Sequence, residues 1–112
     1  MNVYHYKTKG GKDLILDYIM GLSKPEIVDG LYVLERFENG EIDKLTIKQW
    51  QGKIWEVYFY KHNRIFYVVI DDNDVYLLHA CRKQKNKTEK ADSDIIVKRA
   101  KELGGSLSKK II

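Results

Sequence analysis

Cysteine occurs once in the 112 residues, at Cys81, and proline once, at Pro25. A single thiol cannot build a disulfide framework, so the composition suits a reducing compartment. One cysteine and three scattered histidines, His5, His62 and His79, also offer no recognisable zinc-ligand spacing, and no metal is expected. No apolar run approaches the roughly 18 residues that a membrane span requires. The opening residues 1–7 lack the charged-then-apolar layout of a secretory signal. These absences predict a cytoplasmic protein without a membrane partner. Hydrophobic residues make up 44% of the chain, which excludes collagen-like, low-complexity and largely disordered classes. The length suits a single domain over residues 1–112.

Charge is present in quantity but unevenly placed. The net charge is +4, yet residues 1–80 hold ten Lys/Arg against twelve Asp/Glu, and residues 81–112 hold ten against four. Five cations fall between positions 82 and 90: Arg82, Lys83, Lys85, Lys87 and Lys90. A localised basic block suits a polyanion such as RNA or DNA, or an acidic protein partner. A solvated basic loop has the same composition. Its position directly after a strongly patterned strand favours the first reading.

The hydrophobic period changes along the chain. Ile15, Tyr18, Ile19 and Leu22 fall at helical spacing and predict a helix over 13–22. Ser23-Lys24-Pro25-Glu26 fits a capping box for a second helix over 24–38, with Ile27, Leu31, Leu34 and Phe37 as its buried face and Asn39-Gly40 as its stop. The short loop between the two implies a helical hairpin. From residue 43 the period falls to two. Residues 45–48 form a short candidate strand, and 54–60, 64–70 and 75–82 are β-rich runs separated at hairpin lengths. They predict an antiparallel meander, with residues 3–6 as a further short strand. A helix over 93–103, started by Asp92 or Ser93, should end at Gly104-Gly105, leaving the last seven residues loose. The class is α+β, a small antiparallel sheet with helices on one face.

Strand pairing decides which polar side chains meet. A three-residue loop at 61–63 sets Tyr60 opposite Arg64 and Tyr58 opposite Phe66. Pairing Ile70 with Val75 sets Phe66 opposite His79 and Arg64 opposite Cys81. Arg64, Tyr58, Tyr60 and His79 then share a face, with Lys83 just past the strand end. A one-residue slip would scatter them. Such a group suits metal-independent RNA cleavage. A base takes the 2′-hydroxyl proton, a cation stabilises the phosphate, and an acid protonates the leaving 5′-oxygen. Arg binds phosphate bidentately, and aromatic rings stack on unpaired bases. The same residue types also serve plainer ends. Strand tyrosines fill cores, Arg64 pairs with a carboxylate such as Glu56, and His79 is satisfied in a core. An exposed Arg64 should be replaceable by Ala without unfolding.

Four segments carry a resemblance: Gly52-Lys53-Ile54-Trp55-Glu56-Val57-Tyr58, Asn63-Arg64-Ile65-Phe66-Tyr67, Leu77-Leu78-His79-Ala80-Cys81-Arg82-Lys83 and Lys87-Thr88. In this order and spacing, residues 43–103 resemble the RelE/HigB superfamily, specifically the phage-derived HigB-like branch of type II toxin–antitoxin toxins. The resemblance implies a RelE-like fold and an mRNA endonuclease acting on ribosome-bound transcripts. It also implies neutralisation by a cognate antitoxin, expected to be a helix-turn-helix protein, and no cofactor. Arg64 matches the phosphate-binding Arg, Lys83 the first Lys after the His strand, and Lys87 the Lys before Thr. Glu56 and His79 match recurrent motif positions.

Some positions depart from that pattern. Tyr58 stands where the family carries a second strand Arg, Cys81 replaces Phe, Gln84 the second Lys and Glu89 the Pro. The sequence therefore predicts a toxin-like endoribonuclease with Arg64, Lys83, Tyr58 and His79 as catalytic candidates. Arg82, Lys85, Lys87 and Lys90 are candidates for RNA binding. The alternatives are a weakened or inactive member that binds RNA or an antitoxin, or a phage or prophage accessory protein.

Overall fold

The computed structural model describes residues 1–83 and 88–112. Strand β1 (Asn2–His5) is followed by helices α1 (Leu14–Met20) and α2 (Lys24–Glu38), then a single 3-10 turn. Strands β2 (Ile47–Gln51), β3 (Ile54–Phe59), β4 (Asn63–Ile70) and β5 (Asp74–Arg82) come next, and helix α3 (Lys90–Leu107) closes the order. The sheet runs β1-β5-β4-β3-β2. The β2 to β5 pairs are antiparallel, as the strand pattern predicts. β1, however, lies parallel to β5, so the five-stranded sheet is mixed.

The helices take both faces of the sheet, not one. α1 and α2 bury Ile15, Ile19, Val33, Leu34 and Phe37 against Val57, Phe59, Ile65, Tyr67 and Leu77. α3 buries Ile96 and Ala100 on the opposite face against Phe66, Val68, Leu78 and Cys81. The central strand β4 is consequently covered on both sides along nearly its whole length. An uninterrupted apolar run is what such a strand requires, whereas a half-exposed strand alternates. Ile65 to Ile70 is such a run.

Several local expectations shift. Asp13 caps α1, accepting from the Ile15 and Leu16 amides at 3.1 and 2.9 Å. Ser23 makes no side-chain cap bond; its hydroxyl donates instead to Glu26 Oε1 at 2.8 Å. On α2 the buried stripe is Glu26, Gly30, Val33, Leu34 and Phe37, and Leu31 is 41% exposed. The cause is Gly30, where an added Cβ would lie 2.9 Å from Ile19 Cγ2 and 3.1 Å from the Phe59 ring. Close approach at that glycine sets the helix rotation and turns Leu31, one position on, away from the core.

The end of the chain also differs. α3 starts at Lys90, with Glu89 as its N-cap, and continues through Gly104-Gly105. Ile111 is buried and its carbonyl accepts the Lys53 amide at 2.9 Å, so the tail docks on the β2–β3 turn where a loose end was expected. Gly52 makes this possible: at φ 53° a Cβ would sit 2.5 Å from the Ile111 oxygen.

Candidate functional site

Register places the site residues. Tyr58 pairs with Arg64, two positions off the pairing expected for Arg64. An even shift preserves faces, so Tyr58 and Arg64 still project together. Tyr60 leaves the group and enters the turn. The β4–β5 turn pairs Ile70 with Asp74, one residue from expectation, which alone would flip Arg64 relative to β5. A bulge at Leu78 restores parity, and Phe66 pairs with His79 and Arg64 with Cys81 as predicted.

On the α3 side of the sheet these pairings gather Glu56, Tyr58, Arg64, His79, Cys81 and Lys83. Glu56, from β3, is the hub and is 1% exposed. Its Oε1 accepts from Lys83 Nζ at 3.1 Å and lies 3.5 Å from Arg64 Nε. Arg64 is buried, not exposed, which corrects the expectation that Ala could replace it freely. Its Nη1 donates to the Lys61 and Asn63 carbonyls at 3.0 and 2.9 Å, and its guanidinium lies 3.7 Å from the Tyr58 ring centroid. Its Nε has no hydrogen-bond partner among the described residues. Lys83 is only 5% exposed and its amide donates to the His62 carbonyl at 2.6 Å. Burial, then the neighbouring Glu56, raises the Tyr58 phenol above its ordinary value, against the lowering effect of Arg64. Tyr58 is thereby held as a proton donor, not a base.

His79 belongs to the same face but faces α3. Its Nε2 lies 2.7 Å from Asp92 Oδ1, and its Nδ1 is 3.3 Å from Arg99 Nη1, which also donates to the Leu78 carbonyl at 2.8 Å. A guanidinium can only donate, so Nδ1 accepts and Nε2 carries the proton toward Asp92. Burial lowers the imidazole's pKa, outweighing the raising influence of Asp92. His79, Cys81 and Asp92 each bring one potential ligand atom within 4.8 Å of the others. With Nε2 protonated and burial pushing the Cys81 thiol up to about 12, the His79–Asp92 hydrogen bond serves as a link between strand and helix, with Cys81 packed beside it.

The pleat divides the basic block. Arg82 projects to the other face, where its Nη2 donates to Glu26 Oε2 at 2.7 Å. Asn63 Nδ2 reaches the same oxygen at 2.8 Å, and Tyr18 donates to Asn63 Oδ1 at 2.6 Å. The Asn63 and Ser23 hydrogen bonds hold the Glu26 carboxyl below its ordinary value. This network ties α1 and α2 to the strand ends. Lys90, in the first turn of α3, pairs with Asp94 at 3.0 Å and stays exposed. Lys85 and Lys87 lie outside the described residues. Sequence reading underweights Glu56; the available signal was a lone carboxylate in an apolar strand.

Chemically, the cluster is a pair of cations, a shared carboxylate and a raised phenol at one end of a mixed sheet. The architecture is compatible with the RelE-like fold. The family model described as Phage derived protein Gp49-like (DUF891) matches residues 17–101. The chain belongs to that phage-derived family, a toxin-like family of toxin–antitoxin systems. No curated protein matches the chain significantly. Among the described residues, no helix is long and apolar enough to cross a membrane.

Proposed function

We propose that this protein is the toxin of a type II toxin–antitoxin pair, an endoribonuclease that cleaves mRNA on the ribosome without a metal ion. The observation that carries the reading is the convergence of Arg64 and Lys83 on one carboxylate, beside a tyrosine. When RNA binds, its phosphate competes with Glu56 for the two cations. Arg64 and Lys83 then stabilise the charge that develops on the phosphate. Glu56, too buried to meet the substrate, holds the two cations in place, and the Tyr58 phenol, kept protonated by its surroundings, donates to the leaving 5′-oxygen. His79 supports the site by fixing β5 to α3. Lys85, Lys87 and Lys90 attract the RNA backbone, Arg82 being engaged by Glu26 on the other face, and a cognate antitoxin of helix-turn-helix type silences the enzyme by covering this surface.

Induced expression in a bacterial host lacking the antitoxin should arrest growth and shorten mRNA, and Arg64→Lys should relieve both. The Lys variant retains the buried charge beside Glu56 while losing the planar fork that grips phosphate. Normal growth at confirmed soluble expression counts against the toxin reading. A second reading, a member that binds RNA or antitoxin without cutting, is favoured by Tyr58 in place of the family's Arg. Purified protein that binds mRNA on ribosomes but leaves it intact decides for that reading.

A further inference from the structure

The β3–β4 turn holds two adjacent non-glycine residues in the left-handed region, Tyr60 at φ 36° and Lys61 at φ 66°. For an aromatic residue that conformation is strained and persists only where the surroundings enforce it. Here α2 does so: the Asp29 carboxylate accepts the Tyr60 backbone N–H at 2.6 Å. The result is an outward-facing ring. Tyr60 is 39% exposed, and Tyr32, on the same helix as Asp29, is 45% exposed. Both line a groove of about 310 Å³, which Asp29, Lys44 and Lys61 also border.

The groove adjoins the Arg64 cluster at two points. Tyr58 borders it at the end of β3, while its ring lies on the α3 side against the Arg64 guanidinium. The Lys61 carbonyl, one residue from Tyr60, accepts from Arg64 Nη1. Lys61 Nζ lies 5.9 Å from the Tyr60 ring centroid, a cation beside the ring. Single-stranded RNA is held by this combination of a stacking ring and a nearby cation. We propose that the groove is a nucleobase subsite: an unpaired RNA base next to the phosphate held by Arg64 stacks on Tyr60, with Lys61 against its backbone. This rests on the ribonuclease reading and extends it to how the substrate is positioned.

The test uses the full chain and a labelled 2′-O-methyl oligonucleotide containing 5-iodouracil, whose blocked 2′-oxygen prevents cleavage. Fluorescence anisotropy should show Tyr60→Ala binding weakened roughly 5- to 150-fold, the range one base–ring stack supports, and Tyr60→Phe binding as the parent does. Tyr60→Gly removes the ring while relieving the left-handed strain, so it should bind as weakly as Tyr60→Ala and remain folded. Irradiation should crosslink the base to Tyr60 or Tyr32. If Arg64→Lys weakens binding, Tyr60→Gly does not, and crosslinks form elsewhere, the subsite is overturned and the ribonuclease reading stands. If the parent chain binds no oligonucleotide, alone or with ribosomes, both are overturned.

Discussion

Replacing Glu56 by Gln removes the one carboxylate that Lys83 and Arg64 share, without changing side-chain volume. Both cations stay where they are, 5% and 8% exposed, with an amide where the anion stood. Breaking a buried ion pair by deleting one partner costs about 3–5 kcal/mol, because an uncompensated charge is left out of water. For a chain of this size that lowers Tm by roughly 12–20 °C at ~4 °C per kcal/mol. Lys83→Met should cost less, since Glu56 keeps Arg64 Nε at 3.5 Å. The double variant should be more stable than the sum of the singles implies, by ~0.5–3 kcal/mol. Urea unfolding with an unchanged m value reads all three. A loss below about 1 kcal/mol for Glu56→Gln, or strict additivity, would show that water reaches the cluster and that the argument from burial is wrong.

Tyr58→Phe should slow mRNA cleavage by ~10²–10⁴-fold while leaving stability nearly unchanged, because only the donating hydroxyl is lost; undiminished turnover in a ribosome cleavage assay removes Tyr58 from proton transfer. Alkaline stability should fall in two stages. The unfolded Cys81 thiol ionises from about pH 9 and unfolded Tyr18 and Tyr67 from about 10, while all three folded values are pushed up to about 12 by burial. The unfolded state releases protons first, so stability present below pH 9 is lost as pH rises toward 12. Cys81→Ala should remove the earlier stage in a Tm series across that range. Gly52→Ala should free the tail, since the new Cβ meets the Ile111 carbonyl at 2.5 Å; faster hydrogen exchange at Lys53 checks it, and unchanged protection refutes it.

Much of the architecture was present in the order of residues. The change of period from 3.6 to 2 after residue 43 separates the helical hairpin from the strands, and local spacing located α2 within its observed bounds. The family resemblance rested on short strand segments, and membership of the Gp49-like phage-derived family agrees with its phage-derived part. The grouping of Arg64, Tyr58 and His79 on one face also followed from pairing arithmetic, although Tyr60, expected with them, lies in the turn. It survived because one register error was even and the other was cancelled by the bulge at Leu78.

Tertiary structure decided the rest. Which face of α2 is buried depends on how closely Gly30 lets the helix approach Ile19 and Phe59, a distance that a count of apolar residues does not contain. Whether Arg64 and Lys83 are surface cations or buried ones depends on where α3 and the neighbouring strands lie, and burial turns Glu56 from an anonymous strand residue into their common partner. The pleat sends Arg82 to Glu26 and Lys83 to Glu56, although the two stand side by side in the chain. Periodicity is a local property and can be read along one dimension. Burial, charge pairing and the approach of distant segments are sums over neighbours in space, and only the folded chain supplies them.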